Sequence, residues 1–103
     1  MSDLKGKRRC RVGIAGFGTV GQAVARILSS GIHPELQLTH VCNRNVARKR
    51  VDWVSPDVIW TDSFEDLLDG EVDAVVELIG GISPATEWIE SALKSGTAVV
   101  TAN

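Results

Sequence analysis

The chain has 103 residues, 44% hydrophobic and 23% charged, the balance of a folded domain rather than of a disordered tail. No apolar run approaches the roughly 18 residues of a membrane span, and no apolar h-region of a secretory signal follows the charged start MSDLKGKRRC. A cytoplasmic protein with no membrane partner is therefore expected. The net charge of −2 conceals a sorting along the chain: ten of the eleven Lys and Arg fall in residues 1–50, and eleven of the thirteen acids in 51–103. Lys5, Lys7, Arg8, Arg9 and Arg11 make a basic N-terminal arm. Without interleaved aromatic residues it reads as a solvated tail over residues 1–9, not as a nucleic-acid contact, with the folded domain over 10–103.

In chain order, CRVGIA (10–15) has the pattern of a strand. A helix follows from about Thr19 to Ser29, with Val20, Ala23, Val24, Ile27 and Leu28 spaced to form one buried face. Gly31 and Pro34 end it, and LQLTHVC (36–42) is the second strand. VARKRVDWV (46–54) is a short basic helical segment closed by Ser55-Pro56, and DVIWT (57–61) is a third, shorter strand. Ser63 caps a helical turn, with Asp66 three residues on in a capping-box-like pair. VDAVVELIG (72–80) is nearly continuously apolar, as in a strand covered on both faces. Ser83 and Pro84 open a last helix that stops at Gly96, and AVVTA (98–102) is a fifth strand.

This alternation predicts an α/β fold, a doubly wound parallel sheet of the Rossmann dinucleotide-binding type, with five strands and lacking the usual sixth. The chain is accordingly expected to be part of a longer one. Cys10 opens the first strand and Cys42 closes the second, which separates them by roughly 16 Å along neighbouring strands, beyond disulfide reach. Both are expected to be buried free thiols. No Cys/His spacing suggests a metal, and no metal ligand is assigned.

Gly16-Phe17-Gly18-Thr19-Val20-Gly21 is G-x-G-x-x-G between a strand and a helix. In that context the first glycine serves a tight turn, the second leaves room for a pyrophosphate, and the third lets helix and strand pack closely. The helix N-terminus then meets the phosphates. NAD-binding domains place an acid at the end of the second strand for the ribose 2′-OH. Here Asn43 takes that place and Arg44 follows it, with Arg48, Lys49 and Arg50 one turn later. A carboxylate repels a 2′-phosphate and a guanidinium binds it, so NADP(H) is preferred and NAD(H) possible. Arg48, Lys49 and Arg50 serve equally well as a solvated helix face.

Ligands of such sheets bind beyond the carboxyl ends of the strands. ELIGG (77–81) and TAN (101–103) therefore bring Ile79, Gly80 and Asn103 to the cleft. Glu77 is read either as a satisfied structural carboxylate or as a polar group facing the cleft. His33 and His40 have no partner pattern and are read as structural, and Trp53, Trp60 and Trp88 as packing residues.

VGIAGFGTVGQAVARIL, then VVELIGG with Pro84-Ala85 close behind, then ALKSGTAVVTAN, resembles the N-terminal cofactor-binding region of homoserine dehydrogenase over roughly residues 10–103. The glycine motif alone suits many dehydrogenases, whereas ELIGG followed by VVTAN is far more specific. The resemblance implies NAD(P)-dependent interconversion of L-homoserine and L-aspartate 4-semialdehyde, in the biosynthesis of threonine, methionine and isoleucine. It also implies cofactor contacts by Phe17, Thr19, Val20, Arg44, Ile79 and Gly80, and a homodimeric parent enzyme. In the family a lysine that orients substrate follows TAN, and the chain stops one residue before it. No catalytic residue is therefore assigned, and a small-molecule substrate is expected only in the full-length enzyme. Two other readings compete. One is a different NADP reductase with the same N-terminal layout, such as a semialdehyde or dihydrodipicolinate reductase. The other is a free-standing NADP-sensing module.

Overall fold

Alternating strands and helices follow from Cys10 onward in the computed structural model, which describes residues 9–79 and 85–101. The strands are β1 (Cys10–Ala15), β2 (Leu36–Cys42), β3 (Ile59–Thr61), β4 (Ala74–Glu77) and β5 (Ala98–Thr101). Between them lie α1 (Thr19–Ser29), α2 (Val46–Lys49), α3 (Phe64–Asp69) and α4 (Ala85–Lys94). All strand pairs are parallel, in the order β3-β2-β1-β4-β5. The chain winds outward from β1 to β3, then returns to β4 on the other side of β1. That reversal opens a crevice at the carboxyl ends of β1 and β4, where doubly wound sheets bind ligands.

Two apolar layers sandwich the sheet. On one face Ile14, Leu38 and Val41 pack with Phe17, Ala25, Val54 and Val58; on the other, Ala15, Cys42 and Val75 pack with Phe64, Leu67 and Ala92. Neighbours Ile14 and Ala15 divide between the layers as the two-residue period of a strand requires. Leu38 and Val41 share a face although three residues apart. The β1–β2 register explains this: Val12 faces Leu38 and Gly13 faces His40, so Thr39 is an extra residue in β2. Its hydroxyl donates to the Val12 carbonyl at 3.3 Å, which satisfies a polar group inside the sheet.

Several elements differ from the sequence expectation for local physical reasons. The buried line of α1 is Gly21 and Ala25, with Val24 and Leu28 half-buried, whereas Val20, Ala23 and Ile27 are exposed. The helix is seated on Gly21, and that close approach turns its contact face by about one residue. α2 ends at Lys49 because Arg50 is extended (ψ 134°), which carries Val51, Trp53 and Val54 onto the core as an irregular cover. β3 starts at Ile59, because Ser55 holds a turn by accepting the N–H groups of Asp57 and Val58. Ser63 does cap α3 through the Asp66 N–H at 3.2 Å. The reciprocal half of the box is replaced, since the Asp66 carboxylate accepts from the Thr61 hydroxyl and the Ser63 N–H donates to Thr61. β4 is shorter than expected, and the predicted start of the last helix at Ser83-Pro84 lies outside the described residues. Gly96 (φ +79°) follows that helix, as a left-handed stop requires. Cys10 is half-buried rather than buried; Cys42 is buried, and both are free thiols.

Of the basic arm, Arg9 and Arg11 lie within the described residues. Arg9 donates to the carbonyls of Pro34 and Leu36, both at 2.7 Å. Arg11 donates to the carbonyls of Glu71 and Gly70 at 3.1 and 3.0 Å. Both guanidinium groups thus tie loops to the amino ends of the strands, opposite the crevice.

Candidate cofactor site

The crevice is built around the turn from β1 into α1. Gly16 has φ +107°, a conformation that side chains rarely adopt, and a Cβ there would stand 3.0 Å from the Leu78 backbone. At Gly21 a Cβ would run into the Gly16 carbonyl oxygen, so only glycine lets α1 lie this close to the turn. Gly18 is different: a Cβ there meets nothing within 4 Å. The space over Gly18 belongs to the crevice. Gly18 is also the N-cap of α1, offers no side-chain cap, and accepts the first helical hydrogen bond from Gln22 at 2.9 Å. The N–H groups of Thr19, Val20 and Gly21 precede that bond, and no acid occupies the first turn. Uncapped N–H groups at a positive helix end, under open space, suit a phosphate.

Asn43, just after β2, joins this turn to the sheet. Its Oδ1 accepts the Phe17 N–H at 2.9 Å, and its own N–H donates to the Thr61 carbonyl at 3.0 Å. The Phe17 side chain is fully buried, 5.1 Å edge-on to Trp60 and 6.5 Å from Trp53 between ring centroids. Phe17 therefore anchors the loop from below and presents its backbone to the crevice. The Arg26 guanidinium lies 4.2 Å above the Trp53 ring and covers this cluster from outside.

A cleft of about 380 Å³ brings Gly16, Phe17, Gly18, Asn43, Arg44 and Ile79 together, six of the positions expected from the sequence. Thr19 and Val20 are exposed on the first turn of α1 beside it, and Gly21 is buried beneath that turn. Gly80 and Asn103 lie outside the described residues. The cleft also contains Asp62, Leu78 and Trp88, which the sequence reading did not place there. Asp62 follows β3 directly, so applying the carboxyl-end rule to β3 as well would have found it. Trp88, on α4, stacks on Phe64 with centroids 4.6 Å apart and shows its other side to the cleft.

Among the described residues, Cys42 and Glu77 are buried titratable groups at the carboxyl ends of β2 and β4, and His40 is buried further back in β2. Burial pushes the Cys42 thiol up to about 11, helped by the carboxylates of Asp62 and Asp66, so it is not a nucleophile at neutral pH. His40, inside β2 and outside the cleft lining, bonds through Nδ1 to the Thr39 hydroxyl at 2.9 Å. Burial, with the Arg11 charge nearby, holds its pKa below the ordinary value of 6.5, and the ring is neutral. Glu77, 1% exposed, accepts from the Ile79 N–H and from the Thr101 hydroxyl, both at 2.7 Å. Among the described residues, no group of three or more His, Cys, Asp or Glu is placed to hold a metal ion, and no helix is long and apolar enough to cross a membrane.

The same chain pattern occurs in known proteins. The model of the homoserine dehydrogenase NAD-binding domain matches residues 16–103. Homoserine dehydrogenase of Corynebacterium glutamicum is 39% identical over 101 residues, covering 89% of this chain and 22% of the relative. That of Mycobacterium leprae is 37% identical over 105 residues, covering 94% and 23%. The crystal structure of S. aureus homoserine dehydrogenase at pH 7.0 superposes with a TM-score of 0.81 at 30% identity, over 93% of this chain and 26% of that one. Scyllo-inositol dehydrogenase from Lactobacillus casei, with NAD(H) bound, shares the fold alone at 22% identity and a TM-score of 0.74. The chain thus spans about a quarter of the length of the homoserine dehydrogenases it matches. With the glycine loop, the sheet order and the cleft all in the arrangement of a nicotinamide dinucleotide site, the chain belongs to the homoserine dehydrogenase family, of which it is the NAD-binding domain.

Proposed function

We propose that this domain binds NADP(H) in preference to NAD(H), as the cofactor half of an enzyme that interconverts L-homoserine and L-aspartate 4-semialdehyde. The observation that carries the cofactor choice is the end of β2. Asn43 stands where an acid would bind a ribose 2′-OH, and its Oδ1 is already engaged by the Phe17 N–H. Its amide NH2 is left as the outward group, a donor rather than an acceptor. Arg44 lines the cleft beside it. A donor and a guanidinium suit a 2′-phosphate. Asp62, on the same side, supports secondary use of NAD(H), because a carboxylate accepts from ribose hydroxyls and disfavours a phosphate.

The fit to a dinucleotide rests on the open space over Gly18 and on the uncapped helix end beneath it. A bound cofactor supplies the hydride chemistry. The chain's own residues would hold and orient it: the α1 N-terminus at the pyrophosphate, Asn43 and Arg44 at the adenosine ribose, and Ile79 on the other half, for which the sequence also suggests Gly80 and Asn103. Hydride transfer to or from a carbonyl also needs a positioned substrate and a group to move its proton. Among the described residues the cleft lining includes two ionisable side chains, Arg44 and Asp62, both on the adenosine side. The 103-residue chain is therefore a cofactor binder without turnover, and the substrate site and a homodimer contact belong to the rest of the enzyme. Purified chain mixed with L-homoserine and NADP+ tests this by the absorbance of reduced cofactor, beside an NADPH titration. Binding without turnover is expected. Turnover that is lost in Gly18→Val would overturn the division of labour.

A further inference from the structure

β4 is apolar until its last residue, where a carboxylate is buried. Glu77 pairs in register with Ala15 of β1 and Thr101 of β5 at the carboxyl edge of the sheet. Withdrawing a carboxylate from water is costly, and an apolar residue would pack there without that cost. Among the described residues, the carboxylate accepts two short, charge-assisted hydrogen bonds from two different segments. One oxygen takes the Ile79 N–H, in the stretch after β4 that lines the cleft; the other takes the Thr101 hydroxyl at the end of β5. The Leu78 N–H, between them, donates to the Ala15 carbonyl at 2.8 Å and fixes the same stretch to β1.

In a doubly wound sheet the β1–β3 half holds the adenosine side, because the ribose-binding position is the end of β2. The β4–β5 side then faces the nicotinamide half. We propose that Glu77 is a positioning residue for that half: its carboxylate couples the Ile79 backbone to the end of β5 and preforms the nicotinamide wall of the cleft. This rests on the dinucleotide reading of the cleft. The hydrogen bonds of Glu77 to described residues lie on the β4–β5 side, whereas Asn43 and the glycine turn set the adenosine side through the Phe17 N–H. Removing its charge therefore separates the two halves of the cofactor in a way that loss of stability does not.

The test compares NADPH with adenosine 2′,5′-bisphosphate, which carries the adenosine half alone, by calorimetric titration of the 103-residue chain. Glu77→Leu fills a comparable volume and accepts from neither the Ile79 N–H nor the Thr101 hydroxyl, whereas a Gln amide could keep both bonds by donating to the Thr101 oxygen. Glu77→Leu is expected to weaken NADPH by about tenfold while leaving the bisphosphate unchanged. Thr101→Val, at an exposed position that does not threaten folding, is expected to do the same more weakly, and Thr101→Ser to restore wild-type binding. Equal weakening of both ligands, or of neither, in Glu77→Leu and Thr101→Val would overturn the positioning role. A wild-type chain that binds neither ligand would overturn the cofactor reading itself, and the positioning role with it.

Discussion

Asn43 Oδ1 accepts the backbone N–H of Phe17 at 2.9 Å, so the residue just after β2 also holds the glycine turn. On the proposed reading, one side chain thereby sets both the loop for the phosphates and the group offered to the adenosine ribose. Asn43→Asp keeps an acceptor for the Phe17 N–H and replaces the outward donor with a negative oxygen. Stability should change little, while NADPH affinity falls by about tenfold or more and NADH affinity rises. Parallel titrations of the two cofactors check this, and an unchanged ratio would remove Asn43 from cofactor selection.

The glycines separate binding from folding. Gly18 has φ −86° and ψ −152°, outside the left-handed region that favours glycine, and free space where a Cβ would project. Gly18→Val is expected to fold like the wild type and to lose dinucleotide binding. Gly21→Ala should do the reverse of what its small size suggests, because its Cβ meets the Gly16 carbonyl. It is expected to cost about 1–3 kcal/mol of stability by overpacking. Denaturant unfolding and NADPH titration of the two variants give the contrast; a Gly21→Ala chain as stable as wild type would contradict the close approach of α1.

His40 makes stability depend on pH. Burial, and then Arg11, keep the folded imidazole neutral below the pH at which the unfolded one protonates, near 6.5. From there downward the unfolded state takes up a proton that the folded state refuses, so stability present above pH 6.5 is lost as pH falls toward the folded pKa. Urea midpoints from pH 7.5 to 5 should fall for wild type and much less for His40→Gln. An equal fall in both would assign the dependence to other groups.

The order of elements and the glycine turn were legible because they rest on local pattern: two-residue and helical periods, turn glycines, and a motif whose glycines each have a steric reason. What the sequence concealed came from tertiary contacts. The buried face of α1 follows from how Gly21 sits on Gly16, and no helical periodicity reports that. Val51, Trp53 and Val54 continue a helical pattern, yet they are drawn onto the core beside Phe17 and Trp60, and α2 stops short. The extra residue at Thr39 was invisible because it alters the register of two distant strands. In the cleft, Gly16, Gly18, Asn43, Arg44 and Ile79 were found from motif spacing and strand ends. Asp62 and Trp88 were not, since they arrive from β3 and α4, which carry no motif. Phe17 lies in the motif, but its role as a buried anchor depends on two tryptophans more than 35 positions away.

The most direct measurement is calorimetric titration of the 103-residue chain with NADPH and NADH, at low and high salt, for wild type and Arg44→Ala. Wild type is expected to bind NADPH more tightly than NADH, with a gap that narrows as salt screens the 2′-phosphate. Arg44→Ala should lose about ten- to a hundredfold in NADPH affinity while NADH is nearly unchanged. Equal affinities at low salt, tighter NADH, or an Arg44→Ala chain that keeps the wild-type preference would contradict these expectations.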